Sequence, residues 1–231
     1  MLNNSFNQLN ASVDKPLKLL ILLFFLKVQL FASIINWHTI SMPAVGTFQI
    51  PPSMEIQAGK YKEISDGFQQ KIQIPFDTGR VVAQQKRLNE YDKKAFQSYT
   101  RILVETDYGS PGDYENINTR IKASRLELQE LDNTFREGIE ESFSKISSTS
   151  PMTMKLLSWT PVSIVQINGV SMIKIQYTRT VNNAPAALVN IFTVQNNDRM
   201  HRITVSYRQS DANLWKNDLD KVIYTFKFNR R

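Results

Sequence analysis

No cysteine occurs in the 231 residues. That excludes disulfide staples, a thiolate nucleophile, thiolate-ligated zinc or iron–sulfur centres and an acylated lipoprotein cysteine. Histidine is nearly as scarce. His38 and His201 are the whole imidazole supply, and their spacing fits neither an HExxH helix nor a His-rich metal site. Both read as structural histidines. No Gly-x-Ser-x-Gly elbow, P-loop or dinucleotide glycine fingerprint is present. No catalytic residue, metal ligand or cofactor is therefore predicted, although a Ser-His-Asp triad is not local in sequence and leaves a signature-free hydrolase open. Nor does any repeat recur at the roughly 20–50-residue periods of solenoids and propellers.

Charge of one sign is never concentrated. The 28 Lys and Arg exceed the 21 Asp and Glu by a formal +7, and the longest basic runs are the pairs Lys86-Arg87, Lys93-Lys94 and Arg230-Arg231. Nucleic-acid binders gather such residues on one face or in one run, so nucleic acid is not a predicted partner. Long apolar runs are missing as well. Leu19–Leu26 is eight residues, well short of the roughly 20 needed to span a bilayer. Lys15 and Lys18 precede it and Leu30-Phe31-Ala32-Ser33 follows it, the layout of a secretory signal peptide cleaved near Ala32. Residues 1–33 are read as that signal, which makes the protein exported, periplasmic or extracellular. The alternative is an uncleaved inner-membrane anchor over Leu19–Ile35, with Lys27 near mid-membrane. Residues 34–231 are read as a single α+β domain.

Within that domain, strand signals fall at Gly46–Ile50, Met54–Gln57, Lys71–Phe76, Arg80–Leu88 and Ser98–Thr106. Asp113, after the Gly109-Ser110-Pro111-Gly112 breaker, is placed to cap a helix. From Ile117 to Ile146, Ile121, Leu128, Leu131, Phe135, Ile139 and Phe143 recur at helical spacings opposite a charged face carrying Glu127, Glu130, Arg136, Glu137, Glu140 and Glu141. This predicts one long amphipathic helix. Next come Ser163–Ile167, the Asn168-Gly169 turn, Val170–Thr180, Ala186–Gln195 and Met200–Arg208. Strands joined by such short turns must be antiparallel, because parallel neighbours need a long crossover. Ser210-Asp211 then opens a C-terminal helix with Trp215, Leu219, Val222 and Phe226 on one side. The predicted fold class is α+β, an antiparallel meander packed against one long helix and a C-terminal helix. Alternation places Ile173, Ile175 and Tyr177 with Ile203, Val205 and Tyr207 on one oily sheet face. Lys174, Arg202 and Arg208 fall on the other, polar face.

This order of elements resembles the PsbP-like α/β/α sandwich family. The residues that carry the resemblance are Phe48-Gln49-Ile50-Pro51, the Asn168-Gly169 hairpin, Arg199–Arg208, and Trp215 with Tyr224-Thr225-Phe226. It covers residues 45–228 and implies helices on both sheet faces and a binding or assembly role. The candidate binding residues, read from the late meander, are Lys174, Tyr177, Arg179, Arg202, Tyr207 and Arg208, joined by Arg199. Arginine forks suit carboxylate or phosphate. The predicted function is an exported, non-enzymatic binding or assembly subunit with a protein partner of acidic surface. The alternatives are a membrane-tethered accessory protein held by the N-terminal segment, and the hydrolase without a signature.

Overall fold

Ten strands and three α-helices account for the described residues, which in this computed structural model are 36–71, 79–117 and 124–229. The strands are β1 (His38–Met42), β2 (Gly46–Ile50), β3 (Met54–Ile56), β4 (Val81–Gln85), β5 (Thr100–Tyr108), β6 (Met154–Ile167), β7 (Val170–Val181), β8 (Ala187–Gln195), β9 (Arg199–Arg208) and β10 (Lys227–Phe228). The helices are α1 (Gly59–Lys71), α2 (Arg125–Thr149) and α3 (Ala212–Thr225). Residues His38–Arg231 form one compact unit. The signal or anchor over residues 1–33, Ile121, and most of the strand proposed at Lys71–Phe76 lie outside the described residues. Lys71 itself ends α1.

Seven strands form one sheet in the order β3-β4-β5-β9-β8-β7-β6, with every neighbouring pair antiparallel. The expected meander is its last four strands. Asn168 and Gly169 turn β6 into β7 with φ of 52° and 76°, the type I′ geometry whose twist matches the strands it joins. A smaller sheet, β1-β2-β10, includes two strands that sequence patterning missed. Gly46 is required there. At φ of 137°, a Cβ on it would stand 1.9 Å from the Lys227 carbonyl oxygen, so only glycine lets β10 pair with β2.

The long helix starts later than expected. Ser124 and Glu127 form a reciprocal capping box at its N-terminus, while Ile117 lies outside any helix. Asp113 instead closes a turn, accepting from the Ser110 amide at 2.6 Å. Asp211 likewise makes no side-chain cap for α3. Its carboxylate accepts from the Tyr99 amide at 2.9 Å and so ties β5 to the helix start.

The sidedness read from alternation is also corrected. Tyr177 pairs with Val189, and Val189 with Ser206, whereas Tyr207 pairs with Leu188 and Leu188 with Thr178. Residues directly opposite share a face, so Ile173, Ile175 and Tyr177 look one way and Ile203, Val205 and Tyr207 the other. Both faces are oily and both are covered. On the first, Phe143 of α2 is buried among Val162, Ile173, Ile175, Tyr177, Val189 and Ile191, with Leu131, Phe135 and Ile139 half-buried around it. On the second, α3 buries Trp215, Leu219, Val222 and Ile223. Phe226 stacks on Phe48 at 4.7 Å and on Phe228 at 5.7 Å. The fold is an α+β antiparallel meander packed against a long helix and a C-terminal helix.

His201 lies in the second core, fully buried, with its ring 6.1 Å from Phe228 and Nδ1 3.1 Å from Thr106 Oγ1. Burial, reinforced by Arg199 and opposed by Asp198, lowers its pKa to about 4.

Phe143→Ala should lower stability by about 3–5 kcal/mol in urea denaturation. Phe135→Ala should cost less, because Phe135 keeps part of its ring in solvent. His201 makes stability depend on pH. Below its unfolded pKa of about 6.5, the unfolded chain takes up a proton that the native histidine refuses down to about pH 4. Its contribution is therefore complete above pH 6.5 and is lost as pH falls, by about 3 kcal/mol over that window. Urea midpoints of the wild type should fall between pH 6.5 and 4 more steeply than those of His201→Gln.

Candidate functional site

Two helices, α1 and α2, border the first sheet face. α2 rests on β6, β7 and β8, and its seat is fixed at Pro161, where the β6–β7 register shifts between Thr160 and Ser163. Asp132 Oδ1 accepts there from the Val162 amide at 2.7 Å and from Trp159 Nε1 at 2.8 Å. α1 lies toward β4. Its Tyr61 ring packs 5.7 Å from Tyr91 and 6.5 Å from Phe96, and its Asp66 holds the buried Arg80 at 2.6 Å and also bonds Lys62. Burial pushes the Asp66 carboxyl up, but the hydrogen bonds from Lys62 and Arg80 and their charges hold it below its ordinary pKa. Between the helices the inner strands β5 and β9 carry half-buried Arg101, Leu103 and Glu105 beside buried Ser206 and half-buried Thr204 and Arg202, which pair across the ladder. This strip is the floor of a groove.

One end of the groove is cationic and aromatic. Tyr99, Arg101 and Arg208 line two adjoining depressions of about 240 and 300 Å³, the first walled by Tyr61 and Phe96, the second by Arg179, Pro185 and Ala187. A smaller recess of about 110 Å³ adjoins them between Arg101, Arg179, Tyr177, Thr204 and Ser206. Tyr99 is braced by its hydroxyl, 3.0 Å from Ser206 Oγ. Arg208 donates Nη1 to the Gln97 carbonyl at 2.9 Å and stands 3.9 Å from Asp211. Arg101 and Arg179 have no ion-pair partner among the described residues, and Arg101 Nε and Nη2 are buried without a hydrogen-bond partner.

The other end is balanced and oilier. Arg202 Nη2 sits 2.6 Å from Asp107, with Nη1 4.0 Å from Glu105. Burial raises the Glu105 pKa, against the pull of Arg202 and Arg80. Beside them Phe135 and Ile139 of α2, with Ile175, Ile191 and Met200, line a recess of about 220 Å³.

The residues singled out in the sequence are thus divided. Tyr177, Arg179, Arg202 and Arg208 share the groove face, but Lys174 and Tyr207 point to the opposite face, because Lys174 pairs with Phe192 and Phe192 with Ile203. Lys174 does not stand beside Arg202 and Arg208, and those two sit at opposite ends of the groove. Tyr207 is buried in the second core, where burial raises its pKa. Tyr177 is buried between Trp159 and Phe143, at 6.1 and 6.0 Å, and supports the groove wall. Arg199 is buried, held by both Asp198 carboxylate oxygens at 2.9 Å, and lies 5.2 Å over the Tyr108 ring. Arg101 and Tyr99 were missed. The signal lay in β5, where Ile102 and Val104 alternate with Arg101, Leu103 and Glu105, but only the pairing with β9 brings Arg101 against the meander.

No histidine lines these depressions, and His201 is on the other side of the sheet. Among the described residues no group of three or more His, Asp or Glu is placed to hold a metal ion. None of the described helices is long and apolar enough to cross a membrane.

No family model matches the chain, and no curated protein matches its sequence. Among solved structures it is similar to the solution structure of cyanobacterial PsbP from Synechocystis sp. PCC 6803, at 11% identity over 84% of this chain and 92% of that one, with a TM-score of 0.43. It is also similar to a Bacteroides thetaiotaomicron protein at 7% identity and TM-score 0.41, covering 80% of this chain but only 45% of that one. A third is a Pseudomonas aeruginosa protein of unknown function, at 8% identity over 84% of this chain and 99% of that one, TM-score 0.35. The chain has a PsbP-like resemblance at this level, a likeness of fold that brings no activity, partner or location with it.

Proposed function

We propose that this chain is an exported, non-enzymatic binding subunit that holds an acidic segment of a partner protein in the groove between α1 and α2. The observation that carries this reading is the convergence of Arg101, Arg179 and Arg208 on adjoining depressions whose linings contain no Asp or Glu. Like charges gathered on one surface repel, and a bound anionic chain relieves that repulsion. Its Tyr61, Phe96 and Tyr99 walls offer apolar area at small entropic cost, as binding surfaces do. The absence of histidine from the groove weighs against the hydrolase reading, because the imidazole of a Ser-His-Asp arrangement has to reach the substrate. Export is supported by Lys15, Lys18 and the short run Leu19–Leu26.

Partner capture from the source cells, quantified for wild type, Arg179→Glu and Lys174→Glu, tests the groove. Arg179→Glu should lose a partner that Lys174→Glu, on the opposite face, retains, with stability changed by only about 0.5 kcal/mol. Equal capture by all three would remove the groove from the function. N-terminal sequencing of the mature protein tests export, with a start near Ser33 expected. Recovery of intact Met1 from the cytoplasm would overturn it.

A further inference from the structure

We propose that the apolar recess beside α2 takes one large apolar side chain, phenylalanine or leucine, of the acidic partner segment, four residues along that segment from the acid held at the cationic end. The proposal rests on the groove being a binding site and adds the second residue that this site reads.

The spacing comes from the sheet. Residues directly opposite in register form rows across β5, β9, β8 and β7, and successive rows on one face lie two residues apart. Arg101, Ser206, Val189 and Tyr177 make one row. Leu103, Thr204, Ile191 and Ile175 make the next, and Glu105, Arg202, Thr193 and Ile173 the third. The recess at Arg101 and Arg179 is lined mainly from the first two rows, and the recess beside α2 from the second and third, with Met200 beyond. The two are therefore neighbours along the same strands. From Arg101 to Glu105 is four residues of strand, about 14 Å at roughly 3.4 Å per residue. An extended segment running along these strands covers that distance in four residues, and an even spacing sends both of its side chains the same way.

The recess suits an apolar group. Phe135 and Ile139 of α2, with Ile175, Ile191 and Met200, give it carbon surface, and its volume is about 220 Å³. An apolar cavity of about 150 Å³ in another protein accepts benzene. The cation that lines the recess, Arg202, is already met by Asp107 at 2.6 Å and Glu105 at 4.0 Å, so a second acid gains little there. Gly138 of α2 also lines it. Within a helix glycine is less favourable than alanine, and beyond its own helical turn no described atom lies within 4 Å of where a Cβ would stand. Packing inside this chain does not require the glycine, whereas a group seated in the recess gains a closer approach to α2.

The test measures, by fluorescence anisotropy on the full chain, the affinity of two end-blocked peptides bearing a neutral dye, Glu-Thr-Ser-Thr-Phe and its reverse. The tighter of the two is compared with versions carrying Ala for Phe, Gln for Glu, or Phe one position nearer Glu. Each change should weaken binding by about tenfold or more. Gly138→Leu should keep or raise the urea midpoint and bind the Phe and Ala versions equally, and Met200→Glu should remove the same preference. Gly138→Ala, which leaves most of the recess open, should still prefer Phe. A Phe preference unchanged in both Gly138→Leu and Met200→Glu would overturn the proposal, because the ring would then sit elsewhere. Equal binding by the wild type of the Ala, Gln or shifted version would overturn it as well, removing the apolar anchor, the link to the acid or the spacing. So would the lack of saturable binding by either peptide. In each of those cases partner capture that still fails in Arg179→Glu preserves the groove reading, whereas unchanged capture removes both.

Discussion

The in-register pairing of β7, β8 and β9 is the constraint on which the rest depends. A strand presents alternate residues to opposite faces, so a slip of one residue would exchange the two faces of that strand entirely. In the observed register Tyr177, Val189, Ser206 and Arg101 form one row across four strands, and Thr178, Leu188, Tyr207 and Thr100 form the next, on the other side. The first row joins the α2 core to the floor of the groove. The second belongs to the opposite side, which faces α3 and the small sheet. Asn168, Asn182 and Asn197, each at positive φ between consecutive strands of the meander, hold this register with short turns.

The groove exists because α2 is seated off-centre. Its only buried residue is Phe143, and it packs mainly on the edge strand β6. Edge strands invite pairing with other chains unless a bulge, a proline or a covering element blunts them. Here Pro161, the register shifts and the Asp132 clamp do so together. Covering that edge draws the long helix away from β5 and β9. On that side Leu103 and Thr204 of the central strands stay only half-buried.

Charge is distributed unevenly over this surface. Arg202 at one end is neutralised by Asp107 and Glu105, and Arg80 and Arg199 are each held by an aspartate. These arginines are structural. Arg101, Arg179 and Arg208 carry the charge that is least compensated: Arg208 stands 3.9 Å from Asp211, and Arg101 acts on Glu105 only through space. Uncompensated charge beneath aromatic walls and beside partly dry strands acts at lower effective dielectric than a solvated surface lysine such as Lys174, so it attracts an anion more strongly.

Local patterns determined much of this protein. The Asn-Gly hairpin, the meander, the apolar stripes of α2 and α3 and the lack of thiol and paired-imidazole chemistry could be read from short windows, because turn preferences and helical spacing are properties of neighbouring residues. Those windows failed where a competing local partner existed. Ser124 with Glu127 out-competed Asp113 as a helix start, and α1 was missed because its charged and polar residues give little periodic signal. Tertiary structure alone decided which face each strand shows, since Ile203 and Ile175 look equivalent until β8 is counted between them. It also decided the site. Arg101 and Ser206 are far apart in sequence and meet only because β5 pairs with β9, a non-local contact that no periodicity within either strand encodes.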